Sequence, residues 1–86
     1  MKKMEIAINE EKGEISISFN EKFYDLKSIK YSLLDYKDVC KWKLLKNQDK
    51  KIIRVILYPK EKGFTNLIGY EFCNYLLALM KYKSLV

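Results

Sequence analysis

Eighty-six residues, 49% apolar and 33% charged, suffice for one folded domain with a modest core and leave no room for a second, and this balance excludes a disordered chain. No apolar run reaches the ~18 residues of a membrane-spanning helix, and Met1-Lys2-Lys3-Met4 leads into Glu5 rather than a secretory leader. A cytoplasmic protein is expected, with Cys40 and Cys73 as buried free thiols. The charge of +6 is uneven: residues 1–38 hold seven lysines against eight acids, whereas residues 39–86 hold nine lysines and Arg54 against Asp49, Glu61 and Glu71.

Met4 to Ile8 alternates apolar and polar side chains, Asn9-Glu10-Glu11-Lys12-Gly13 is a polar turn, and Glu14 to Phe19 alternates again. This pattern predicts a β-hairpin. After a connector from Asn20, Asp25 is placed to cap a helix over 26–36, because its carboxylate can accept from the unpaired amides of the first turn. Leu26, Ile29, Leu33 and Tyr36 form the apolar stripe of a helix laid on a sheet.

A second hairpin follows. Val39 to Leu44 alternates, Asn47-Gln48-Asp49 turns, and Lys51 to Tyr58 is rich in β-branched residues. Pro59 stops this strand, having no amide to give to the ladder. After a loop over 60–64, Thr65 or Asn66 is expected to cap a long helix over 67–83. The order ββαββα predicts an α+β fold: a four-stranded, mainly antiparallel sheet with two helices on one face.

The last helix carries more apolar surface than one sheet can cover. Ile68, Phe72, Leu76 and Leu79 make one stripe, and Tyr70, Cys73, Leu77 and Met80 make another beside it. Glu71, Asn74, Ala78 and Lys81 form only a narrow polar stripe. The second apolar stripe packs on the first helix, or it meets a protein partner or another copy of the chain. A homodimer through the last helix is therefore an expectation.

Catalytic chemistry lacks its usual components. Histidine is absent, removing the commonest general base and metal ligand. The cysteines lack zinc-ligand spacing. Glycines 13, 63 and 69 build neither a phosphate loop nor a dinucleotide fingerprint. No cofactor is expected, and the chain is read as noncatalytic.

If Cys40, Trp42 and Leu44 face the core, Lys41 and Lys43 face outward, Arg54 joins them from the next strand, and Ser16 and Ser18 complete an open face that reads as polar and basic. A small nucleic-acid-binding domain using this face is the alternative function. Sheet platforms that read single strands need exposed rings for base stacking, and only Tyr58 is in phase. An unpaired strand edge offers a third mode, in which Lys41, Lys43 and Lys46 either favour an acidic peptide added as a strand or discourage unwanted pairing.

From Ile15 onward the order of features resembles the HxsD-like proteins, small partners of radical-SAM enzymes in His-Xaa-Ser peptide-maturation systems. The matching residues are a strand ending in Phe19, Phe23-Tyr24-Asp25-Leu26 opening a helix with Ile29, a hairpin ending in Leu57-Tyr58-Pro59-Lys60, and Tyr70-Glu71-Phe72-Cys73-Asn74-Tyr75-Leu76-Leu77. The resemblance implies a noncatalytic accessory to ribosomal-peptide modification, binding a precursor peptide or completing a separate radical-SAM enzyme that holds the iron–sulfur cluster. By that likeness Tyr24, Glu71, Phe72 and Asn74 are characteristic positions, with Phe72 in the core and Glu71 and Asn74 available for contact. The leading expectation is an adaptor for a protein or peptide partner, with Tyr70, Glu71, Asn74 and Leu77 as contact residues, and with Lys41, Lys43 and Arg54 serving the alternative.

Overall fold

The structure, a computed structural model, describes residues 3–47, 49–61 and 63–84. Its elements run β1 (Met4–Asn9), β2 (Glu14–Asn20), α1 (Leu26–Asp35), β3 (Cys40–Asn47), β4 (Ile52–Pro59) and α2 (Thr65–Ser84), an α+β fold. The four strands form one sheet in the order β1-β2-β4-β3, and every neighbouring pair is antiparallel. Each hairpin thus contributes one edge and one central strand, and β2 and β4 join the hairpins.

Local chemistry accounts for the turns. The Asn9 side chain accepts from the Lys12 amide at 3.1 Å, and Gly13 supplies the left-handed φ of 62° that returns the chain into β2. In the second hairpin the Asn47 side chain accepts from the amides of Asp49 and Lys50 at 3.1 and 3.2 Å; Gln48 lies outside the described residues. Strand β3 runs three residues past Leu44, because the register carries Asn47 opposite Ile52 before the turn begins. Strand β4 ends at Pro59, as proline's missing amide requires.

Alternation then sorts the side chains. Ile15, Ile17 and Phe19 of β2 and Ile53, Val55 and Leu57 of β4 are buried, facing Ile29 and Leu33 of α1 and Phe72, Cys73 and Leu76 of α2. Both helices cover this one face of the sheet. Leu26 and Tyr36 pack at the margin of the core from α1, as do Trp42 and Leu44 from β3. Each large side chain removed from water here contributes roughly 1.5–3 kcal/mol before ordering entropy is counted.

Helix α1 starts as its sequence predicts. Both Asp25 oxygens accept from Ser28, one from its amide at 2.7 Å and one from its hydroxyl at 2.8 Å. It ends one residue earlier than expected, with Tyr36 as its C-cap. Helix α2 starts earlier than expected. The Phe64 carbonyl accepts the first helical bond, from the Ile68 amide at 2.9 Å, so Phe64 stands where a cap residue would. Thr65 and Asn66 are consequently helical residues and not the caps their composition suggests. Thr65 is buried, and the Asn66 side chain donates to the Glu10 carboxylate.

Candidate functional site

The roll of α2 on the sheet determines what it presents outward. Gly69 is buried, and a Cβ at that position would lie 3.4 Å from methyl groups of both Ile15 and Ile6, so the helix rests closely on β1 and β2 here. With that line of contact set, Ile68, Phe72 and Leu76 turn inward, as their spacing predicts, whereas Leu79 is half-buried and lines a surface hollow with Lys27, Tyr31 and Asp35. The second apolar stripe splits. Cys73 is buried and Met80 packs against the core, whereas Tyr70 and Leu77 stay 57% and 40% exposed.

Leu67, 54% exposed, joins Tyr70, Asn74 and Leu77 along the outer arc at three- and four-residue spacing. Glu71 is exposed beside them. Four expected contact residues therefore share one helix surface. Leu67 also lines a shallow groove of ≈ 360 Å³ with Val39, Phe64 and Ile68, edged by Asp38, Lys60 and Glu61. Phe64 and Val39 are about half exposed. The apolar surface thus runs from the groove, across the start of α2, to Leu77, and the sequence pattern missed its first part because Phe64 and Val39 sit in connections.

A polar and aromatic junction ties α2 to α1. The Tyr75 hydroxyl donates to the Asp35 carboxylate, and the Tyr36 ring lies 5.8 Å from that of Tyr75 and 5.3 Å, edge on, from that of Phe72. The hydrogen bond to Asp35 raises the Tyr75 pKa, because ionisation would remove the donated proton and set an anion beside a carboxylate. Burial raises that of Tyr36, helped by the neighbouring Glu71 carboxylate. Burial likewise lifts the Cys40 thiol, with Lys60 opposing, and pushes the Cys73 thiol up to about 11. Both thiols are protonated and shielded at neutral pH. Among the described residues no group of three or more His, Cys, Asp or Glu side chains is placed to hold a metal ion.

On the far side of the sheet Lys41, Lys43 and Arg54 do share one face. Register sets Leu45 beside Arg54, Lys43 beside Ile56 and Lys41 beside Tyr58, and the Arg54 Nε donates to the Ser16 hydroxyl at 3.1 Å across β2. The expectation of a uniformly polar and basic face needs correction. Ile52, Ile56 and Leu45 interrupt it, and Glu5 and Glu14 make the β1–β2 half acidic. Lys46 also departs from the expected edge group. Its position is in phase with Trp42 and Leu44, and its amine meets Glu21 at 3.4 Å instead of joining Lys41 and Lys43. The outer arc of α2 and the open sheet face lie on opposite sides of the molecule.

No helix among the described residues is long and apolar enough to cross a membrane. Comparison of the chain with protein-family models, with curated proteins and with solved structures gave no match.

Proposed function

We propose that the chain is a noncatalytic adaptor that binds a protein or peptide partner through the outer arc of α2 and the adjoining groove. One observation carries this reading: Leu67, Tyr70 and Leu77 remain 40–57% exposed although the core beneath the helix is already closed by Phe72, Cys73 and Leu76. Contiguous exposed apolar surface of this kind marks interaction sites more often than it marks anything else. Tyr70 supplies a large ring with a polar tip, well suited to the centre of an interface, and Glu71 and Asn74 add polar groups that orient a partner.

The resemblance of the Tyr70–Leu77 run to HxsD-like proteins narrows the class of partner to a radical-SAM peptide-modifying enzyme or its precursor peptide. The cluster and the chemistry would belong to that enzyme; this chain would contribute binding and placement in the cytoplasm. The test is to purify the tagged chain from its native cells at moderate salt, alongside a Tyr70→Lys/Leu77→Lys variant. Recovery of a radical-SAM enzyme or a short peptide with the native chain, lost in the variant, supports the adaptor. Equal recovery with both chains removes α2 as the contact surface.

A second reading, nucleic-acid binding, rests on Lys41, Lys43 and Arg54 sharing one sheet face with Tyr58, which stands directly beside Lys41. It predicts nuclease-sensitive recovery, an affinity that falls steeply with salt, and loss of binding when the three cations are replaced by Glu.

A further inference from the structure

We infer that the open face of the sheet pairs with the same face of a second copy of this chain, about a two-fold axis that lies between the two sheets and runs parallel to the strands. The argument rests on how charge is distributed across that face. Its β1–β2 half carries Glu5 and Glu14 and no outward cation, whereas its β4–β3 half carries Arg54, Lys43 and Lys41 and no outward acid.

Two sheets can stack face to face about either of two in-plane axes. An axis across the strands lays β1 on β1 and β3 on β3, which sets acid against acid and lysine against lysine. An axis along the strands lays β1 on β3 and β2 on β4 of the other copy. Row by row, Glu14 then faces Tyr58 of the second copy beside its Lys41, and Glu5 lies near its Arg54 and Lys43. Stacked sheets sit about 10 Å apart, a gap that these long side chains span. Ile52 and Ile56 on β4 lie next to the axis, with Arg54 between them and Glu14 on the neighbouring β2, while Glu5, Lys41 and Lys43 lie on the edge strands toward the rim.

Size sets the strength. Four strands about 4.8 Å apart and some seven residues long give a footprint of roughly 400 Å² per copy before side-chain relief, about half of what a standard specific interface buries per partner and in the range of weak, transient contacts. A concentration-dependent equilibrium is expected rather than a permanent dimer. The same charge pattern disfavours a polyanion as the occupant, since half of the face would repel it. Pairing through the sheet leaves α2 outermost on both copies.

The experiment is sedimentation equilibrium on the full chain and on charge variants, with circular dichroism confirming the fold of each. Glu14→Lys and Lys41→Glu should each weaken dimerisation roughly tenfold or more, because each change acts twice in a two-fold assembly. The double variant should return to within about threefold of the native constant, a rescue that independent sites would not give. Ile56→Lys, next to the axis, should abolish the dimer. A chain that stays monomeric at every concentration overturns the inference. So does a dimer indifferent to Glu14→Lys and dissolved by Tyr70→Lys, which would locate it on α2, or a face that binds RNA and shows no self-association.

Discussion

Tyr75, midway along α2, donates its phenolic hydrogen to the carboxylate of Asp35 in the last turn of α1, forty positions earlier in the chain. The two helices are thereby held together at the surface by a neutral phenol and an anion, an arrangement sensitive to alkali. Tyr75 should titrate above the ordinary tyrosine value of about 10, and Asp35→Asn should bring it back toward that value by removing the charge. Because the folded pKa is the higher one, the stabilisation is fully present below the unfolded value and lost as pH rises through the folded value. Ultraviolet difference titration of the native chain and of Asp35→Asn checks both statements; equal midpoints in the two would show the contact to be absent in solution.

The thiols give a second prediction of the same sign. Cys73 is raised to about 11 by burial, and Cys40 is raised by the same cause, so neither is a competent nucleophile at neutral pH. Alkylation of the native chain at pH 8 should be slow and should accelerate sharply in denaturant. The Cys73 contribution to stability holds below the ordinary thiol value of roughly 8.5 and fades between there and about 11. Rapid alkylation of the folded chain would mean that the core opens on a short timescale.

Truncations of the core and of the cap should separate clearly in size. Phe72 is fully buried between the sheet and the Tyr36 ring, and Phe72→Ala should cost about 3–5 kcal/mol, enough to threaten folding of so small a chain. Asp25→Ala should cost about 1–2 kcal/mol, toward the upper part of the range for caps because it also strips the buried Ser28 hydroxyl of its acceptor. Urea titration measures both.

The outer arc of α2 should behave in the opposite way. Tyr70→Lys replaces a side chain that is 57% exposed and should change stability by no more than about 0.5 kcal/mol, while Leu77→Lys, at a position 40% exposed, should cost about 1 kcal/mol and leave the chain folded. Unfolding by either substitution would assign those side chains to the core and remove the proposed contact surface with them.

Much of this was legible in the residues themselves. The alternation of Ile15, Ile17 and Phe19 and of Cys40, Trp42 and Leu44 fixed which faces of the strands are buried, and Asp25 announced the start of α1. The two apolar stripes of α2 could not be ranked in the same way. Together they span an arc wider than the sheet can cover, and periodicity supplies the spacing of side chains without the angle at which the helix lies. That angle follows from contacts distant in sequence, Gly69 against Ile6 and Ile15 and Tyr75 against Asp35. The polarity of the open face was hidden for a related reason. It exists only once β2 is known to pair with β4, which brings the acidic first hairpin and the basic second one into a single surface.

That β2–β4 pairing also governs how the chain reaches its structure. Each hairpin closes over a short turn, but Ile17 meets Val55 across thirty-eight positions, and loop-closure entropy must be overcome before the central ladder returns any energy. The hairpins are local and can form early; their union is the slow event. Substitutions at Ile17 or Val55 should then retard refolding as well as weaken the fold, and changes in the β1–β2 turn, which closes before that event, should act on the rate of refolding and leave the rate of unfolding nearly unchanged.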